Sequence, residues 1–141
     1  MNSAFKKISF LLLSMGFLIS CNAVKVVESS KQITHPGVPS GTSSISYSLQ
    51  LNTSEEIKIE SVSLLQLSLN TPITQFSITD LSDGKILKPE ATLKKGSYWI
   101  GFSVGTTVMN GSDSIQIEYT ASGKLKTIMV VPELKADLHM K

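Results

Sequence analysis

Alternation of apolar and polar residues with a period of two is the feature of this sequence that most restricts its fold. Apolar side chains at every second position share one face of a β-strand, whereas a helix needs a period of about 3.6 residues. The pattern predicts an all-β fold whose strands each bury one face and expose the other. The alternating apolar residues are Ile45, Tyr47, Leu49 and Leu51; Ile57 and Ile59; Leu65, Leu67 and Leu69; Tyr98, Ile100, Phe102 and Val104; and Ile115, Ile117 and Tyr119.

Turn-forming residues separate these segments and indicate how the strands connect. Residues 122–123 (Ser-Gly) predict the clearest hairpin, residues 70–72 and 83–84 predict further turns, and Pro132 ends the last strand. About seven or eight short strands in a domain of this size are typical of an antiparallel, immunoglobulin-like β-sandwich. A small β-barrel is the alternative.

The first twenty residues have the pattern of an export signal. Lys6 and Lys7 precede an uncharged apolar stretch at residues 8–19. That stretch is shorter than the roughly 20 residues a membrane-spanning helix needs, but it suits the apolar core of a secretory signal peptide. We therefore expect residues 1–20 to be removed.

The residues that close this segment, Leu18-Ile19-Ser20-Cys21, resemble the lipobox of bacterial lipoproteins. The resemblance implies that signal peptidase II cuts before Cys21, whose sulfur receives a diacylglyceryl group and whose new amino group is acylated. Cys21 would then anchor the protein in the membrane and be neither nucleophile nor metal ligand. Asn22 lacks the aspartate that retains lipoproteins in the inner membrane, and residues 22–27 lack the acidic cluster of surface-exported ones. These cues favour the outer membrane, facing the periplasm.

The charge of the remaining chain excludes several classes of function. Residues 21–141 hold 11 lysines and 11 acidic residues, so their formal charges cancel, and the chain has no arginine. A neutral domain of this kind does not suit nucleic-acid binding, and the single cysteine excludes an intrachain disulfide and a cysteine-based zinc cluster. We predict no cofactor.

The sequence divides into four parts. Residues 1–20 are the signal peptide, and residues 21–41 are a lipid-anchored tether with a possible first strand at residues 24–28. Residues 42–132 are the β-sandwich domain, and residues 133–141 are a frayed C-terminal tail.

Motifs that could carry chemistry are weak in this chain. Residues 101–105 match G-x-S-x-G around Ser103, but they lie inside an alternating strand, and the bases on offer are His35 and His139. The same two histidines, 104 positions apart, make a poor metal site because a structural site needs four ligands. Residues 80–85 resemble a calcium loop that lacks its terminal glutamate, so turn chemistry is the better interpretation. We therefore predict no catalytic residue, no metal and no enzyme.

Trp99 is the strongest candidate contact residue. Strand alternation places it on the polar face, opposite Tyr98 and Ile100 and beside Gly101, where a flat ring could stack on a sugar or a protein partner. The Pro/Gly loop offers a second possible contact through Pro36, Val38 and Pro39. The first functional hypothesis is a non-catalytic, lipid-anchored protein that binds or scaffolds an envelope protein. A glycan-binding module using Trp99 and a passive structural lipoprotein are the alternatives.

Overall fold

The computed structural model describes residues 22–37, 41–67, 69–105 and 113–136, and the backbone of residues 138–139. In this part of the chain we find no helix long and apolar enough to cross a bilayer. The described residues form twelve strands: β1 (Val24–His35), β2 (Ser44–Thr53), β3 (Ile57–Gln66), β4 (Leu69–Ile73), β5 (Ser77–Asp80), β6 (Ile86–Leu87), β7 (Thr92–Leu93), β8 (Gly96–Gly105), β9 (Asp113–Ala121), β10 (Lys124–Val130), β11 (Glu133–Leu134) and β12 (Leu138–His139).

The strands form two separate sheets, so the predicted all-β sandwich is confirmed. The first sheet has the order β11-β1-β2-β8-β5-β6, with β12 also pairing with β1. The second has the order β10-β9-β3-β4, with β7 also pairing with β3. The pairings are antiparallel except those of β1 with β11 and β12.

The core lies between the sheets and is built from the alternating residues seen in the sequence. Leu49, Ile100 and Ile115 are fully buried, and Tyr47 stacks on Phe102 with ring centroids 4.9 Å apart. Each strand contributes alternate side chains to this core because successive side chains point to opposite sides of a sheet. The outward positions of β2 and β5 are polar, and those of β8 carry serine, glycine and Trp99; this is the surface of the candidate site described below.

The N-terminal segment is a strand over most of its length. β1 pairs with β2 from Val24 to Thr34, interrupted by a β-bulge between Val26 and Glu28. The first strand expected as one possibility at residues 24–28 therefore exists and extends to His35.

The segment after Pro132, predicted as a frayed tail, instead adds to the first sheet. β11 pairs with Ser30 and Lys31 of β1, and β12 pairs further along the same strand. The Lys135 amide also donates to the Lys31 carbonyl at 2.9 Å. The prediction was wrong because it considered the segment alone, whereas β1 offers unpaired backbone groups along its free edge.

Of two turns predicted from the sequence, one is confirmed and the other lies at a different position. The hairpin at residues 122–123 is confirmed, and both residues have positive φ, as a type I′ turn requires. The turn expected at residues 70–72 lies instead at Leu67, which has φ 51° and is 84% exposed. Residues 70–72 are part of β4, and a bulge between Ile59 and Ser61 joins two expected strands into β3.

Candidate functional site

Trp99 lies on the outer face of the first sheet, as strand alternation predicted. It is half-buried on β8, while its neighbours Tyr98 and Ile100 point into the core. Its cross-strand partners are Gln50 on β2 and Thr79 on β5. We call the outward-facing residues of β2, β8 and β5 the Trp99 face; they are Ser44, Ser46, Ser48, Gln50, Asn52, Ser97, Trp99, Gly101, Ser103, Gly105, Ser77 and Thr79.

The Trp99 face is neutral and internally hydrogen-bonded. It carries hydroxyl and amide groups, with no charged side chain at the outward positions of these three strands. The Ser97 hydroxyl donates to Asn52 Oδ1 at 2.7 Å, and the hydroxyls of Ser46 and Ser103 lie 3.1 Å apart. These bonds join neighbouring strands, so the polar groups have defined positions before any partner binds.

Gly101 leaves open space beside Trp99. Two positions along β8 from the indole, it presents no side chain to the outer face. A Cβ at this position would meet Ser77 Oγ at 3.5 Å, which is ordinary van der Waals contact. A side chain at this position would therefore fit on the outer face, two residues along β8 from Trp99.

The Pro/Gly loop does not belong to the Trp99 face. Trp99 is aligned through Gln50 with Glu28 of β1, and Pro36 lies eight positions further along. At about 3.3 Å per residue, this separates Pro36 from the row of Trp99 by about 25 Å. Val38 and Pro39, the other predicted contacts of the loop, lie outside the described residues, as does Cys21.

Ser103 lies within β8, where the chain makes no sharp turn. Its side chain points outward to Ser46, whereas His35 follows the inward-facing Ile33 by two positions and therefore points to the other side of the sheet. His35 Nδ1 lies 3.0 Å from Ser43 Oγ. The structure therefore does not bring Ser103 and His35 together as a nucleophile and base.

The two histidines are much closer than their sequence separation suggests. His35 and His139 are cross-strand partners in the parallel pairing of β1 with β12. Tertiary pairing therefore brings together the backbones of two residues that are 104 positions apart in the sequence. Within the described residues, no group of three or more histidine, cysteine or acidic side chains could hold a metal ion.

The loop that resembled a calcium site is held by its own turn hydrogen bonds. Asp80 Oδ1 accepts bonds from the Ser82 amide at 2.9 Å and from the Ser82 hydroxyl at 2.7 Å, while Asp83 Oδ1 accepts one from the Lys85 amide at 2.9 Å. The bonds from Ser82 hold the pKa of the Asp80 carboxyl below its ordinary value. These contacts account for both aspartates as turn residues.

A buried polar cluster joins the two sheets at the other end of the sandwich. Asp113 on β9 accepts hydrogen bonds from Tyr47 at 2.5 Å, from Lys31 at 3.2 Å and from Gln66 at 3.3 Å. Burial raises the pKa of the Tyr47 hydroxyl, and the bond to Asp113 reinforces the effect. Sequence reasoning missed this cluster because its members come from four strands, and no spacing pattern links them.

Comparison with known proteins provides no family for this chain. No protein-family model matches its sequence, and no curated protein matches it.

Proposed function

We propose that this chain is a non-catalytic binding protein of the bacterial cell envelope, anchored by a lipid on Cys21. The support is the lipobox at residues 18–21 and its upstream signal pattern. The cues at residues 22–27 favour the outer membrane for the proposed anchor, with the domain in the periplasm. Two acyl chains suffice for stable attachment, whereas a single chain is marginal.

The ligand we propose is an envelope glycan, bound on the Trp99 face. The observation that carries this proposal is the half-buried indole set among uncharged hydroxyl and amide side chains. Sugars are neutral and rich in hydroxyls, so they can stack on an aromatic ring and exchange hydrogen bonds with serine, glutamine and asparagine. A protein-binding face would be expected to present a larger apolar centre with several anchoring side chains.

The single tryptophan provides a direct assay for this proposal. Because Trp99 is the one tryptophan in the chain, its fluorescence reports on the Trp99 face alone. We expect soluble peptidoglycan fragments to shift the emission of the purified protein in a saturable way. We also expect Trp99→Ala to lower retention on insoluble peptidoglycan at least tenfold.

Two further variants sharpen the test. Gly101→Leu should also reduce binding, because it places a bulky side chain on the same face as the indole, two residues away along β8. Leu125→Ala, a control at an exposed apolar residue of the second sheet, should bind like the original protein.

Unchanged retention in both Trp99→Ala and Gly101→Leu would overturn the glycan assignment. A single stoichiometric protein crosslinked in cells from position 99, without glycan retention, would instead favour the protein-binding alternative. Crosslinks to many neighbours would favour a passive structural lipoprotein. An unmodified Cys21 in the mass spectrum of the cell-derived protein would contradict the lipid anchor.

A further inference from the structure

The folded domain begins almost directly after the proposed lipid anchor. Asn22 is exposed, but Ala23 and Val24 are already buried in the core. The Ala23 carbonyl accepts a 2.9 Å hydrogen bond from the Ser54 amide, which fixes the start of the chain to the turn after β2. The tether expected over residues 21–41 is thus reduced to a single exposed residue beside Cys21.

This short connection restricts how far the domain can stand from the bilayer. Two residues span at most about 7 Å between Cys21 and Ala23. The headgroup layer of one leaflet is itself roughly 5–8 Å thick. A lipid on Cys21 therefore brings the adjacent end of the sandwich into contact with the headgroups.

The strand register identifies which surface this is. Val24, Thr53 and Gly96 are aligned at the same end of the first sheet, and Ile57 and Ala121 are paired at that end of the second. We call this the N-terminal end; it comprises Asn22, Ala23, Lys25 and Lys58 together with the turns at residues 54–56, 80–85, 94–95 and 122–124.

The N-terminal end carries more lysines than acids, in a domain whose formal charges cancel overall. Its lysines are Lys25, Lys58, Lys85, Lys94, Lys95 and Lys124, and its acids are Glu55, Glu56, Asp80 and Asp83. Three of the acids already accept hydrogen bonds: Asp80 and Asp83 from turn amides, and Glu55 from the Ser122 hydroxyl at 2.9 Å. Lys94 and Lys95, by contrast, are exposed. The Lys94 carbonyl accepts a bond from Thr53, the cross-strand partner of Val24, so the lysine pair lies at the same end of the first sheet as the first residues of β1.

We propose that the N-terminal end is a membrane-contact surface on which Lys94 and Lys95, supported by Lys25 and Lys124, bind anionic phospholipid headgroups. This proposal rests on the proposed lipid anchor and adds to it an orientation. In this orientation the long strands extend from the bilayer into the periplasm. The Trp99 face then lies on the side of the domain, not against the membrane, and is accessible from the periplasm. Lysines are attracted to an anionic leaflet when they lie within a Debye length of it. The short connection to the anchor keeps the lysines of the N-terminal end at that distance.

Lysine footprinting of the lipidated protein tests this orientation. The protein purified with its acyl chains is placed in phosphatidylcholine vesicles, in vesicles that also contain phosphatidylglycerol, or in non-ionic detergent. A water-soluble amine-acetylating reagent is added, and mass spectrometry measures the rate at each lysine. Lys88 and Lys135, exposed residues outside the N-terminal end, are the matched controls.

We expect Lys94 and Lys95 to react at least threefold more slowly in phosphatidylglycerol vesicles than in detergent, with Lys88 and Lys135 changed much less. If the acetylation rate of each of the four lysines were the same in vesicles as in detergent, the orientation would be overturned. Equal protection in both kinds of vesicle would overturn the binding of anionic headgroups. The mass of the N-terminal peptide in the same spectra shows whether Cys21 is acylated, so failure of the anchor is distinguished from failure of the orientation.

Discussion

The Tyr47 hydroxyl donates a 2.5 Å hydrogen bond to Asp113 Oδ2, linking the first sheet to the second through a buried pair. Tyr47 is 1% exposed and Asp113 5% exposed, so neither group can exchange this bond for water. Lys31 and Gln66 also donate hydrogen bonds to the Asp113 carboxylate. The stability of the sandwich should therefore depend strongly on this cluster.

Tyr47→Phe should lower the free energy of unfolding by about 1–3 kcal/mol. The variant keeps the ring but leaves a buried carboxylate oxygen without one of its donors. Urea unfolding followed by circular dichroism measures the change. Tyr119→Phe is a suitable control because its hydroxyl has no hydrogen bond within the described residues. Equal losses in both variants would show that the bond to Asp113 contributes nothing specific.

Folding stability should decline above about pH 10, by about 1.4 kcal/mol per pH unit for Tyr47 alone. Its pKa is raised in the folded protein by burial and by Asp113. The unfolded chain therefore loses a proton above its ordinary pKa while the folded chain keeps it, so rising pH favours unfolding. Urea titrations between pH 9 and 11 measure this slope. The slope should decrease in Tyr47→Phe, and an identical slope would contradict the assignment.

Lys31→Met should cost about 1–3 kcal/mol, because it leaves the Asp113 carboxylate without its countercharge in a poorly solvated site. Lys135→Met is the matched control, since its 3.7 Å ion pair with Glu28 is about half exposed on both sides. That surface pair should contribute less than about 1 kcal/mol. Urea unfolding of both variants compares them, and a larger loss for Lys135→Met would refute the ranking.

The C-terminal segment should be protected from hydrogen exchange. The Lys135 amide donates to Lys31, and the Gln32 side chain donates to the Ala136 carbonyl at 3.0 Å. We expect backbone amides at residues 133–135 to exchange at least roughly tenfold more slowly than in an unstructured peptide. Exchange mass spectrometry of C-terminal peptides measures this protection. Exchange at the unstructured rate would mean that β11 does not persist in solution.

Local patterns predicted most of the fold, and the exceptions have physical causes. Alternation identified the inward residues of β2, β8 and β9, and it also placed Trp99 on the outer face. The alternation gave a wrong result at Leu67, which was predicted to lie in a strand and lies in a turn. The apolar residues Leu65, Leu67 and Leu69 keep a period of two across this turn, so the pattern alone does not reveal it. The bulge at Ile59 and Ser61 left no mark in the sequence because it depends on pairing with β9.

The strand character of the domain and the inward or outward direction of most side chains could be derived from the amino-acid order, because both follow from each residue and its near neighbours. The sequence also contains residues 18–21, which resemble a lipobox. Folding in three dimensions set which strands pair and joined the C-terminal segment to β1. It alone brought Lys31, Tyr47 and Asp113 into one cluster and reduced the tether to Asn22. Those outcomes depend on contacts between residues far apart in the chain, which no local pattern encodes.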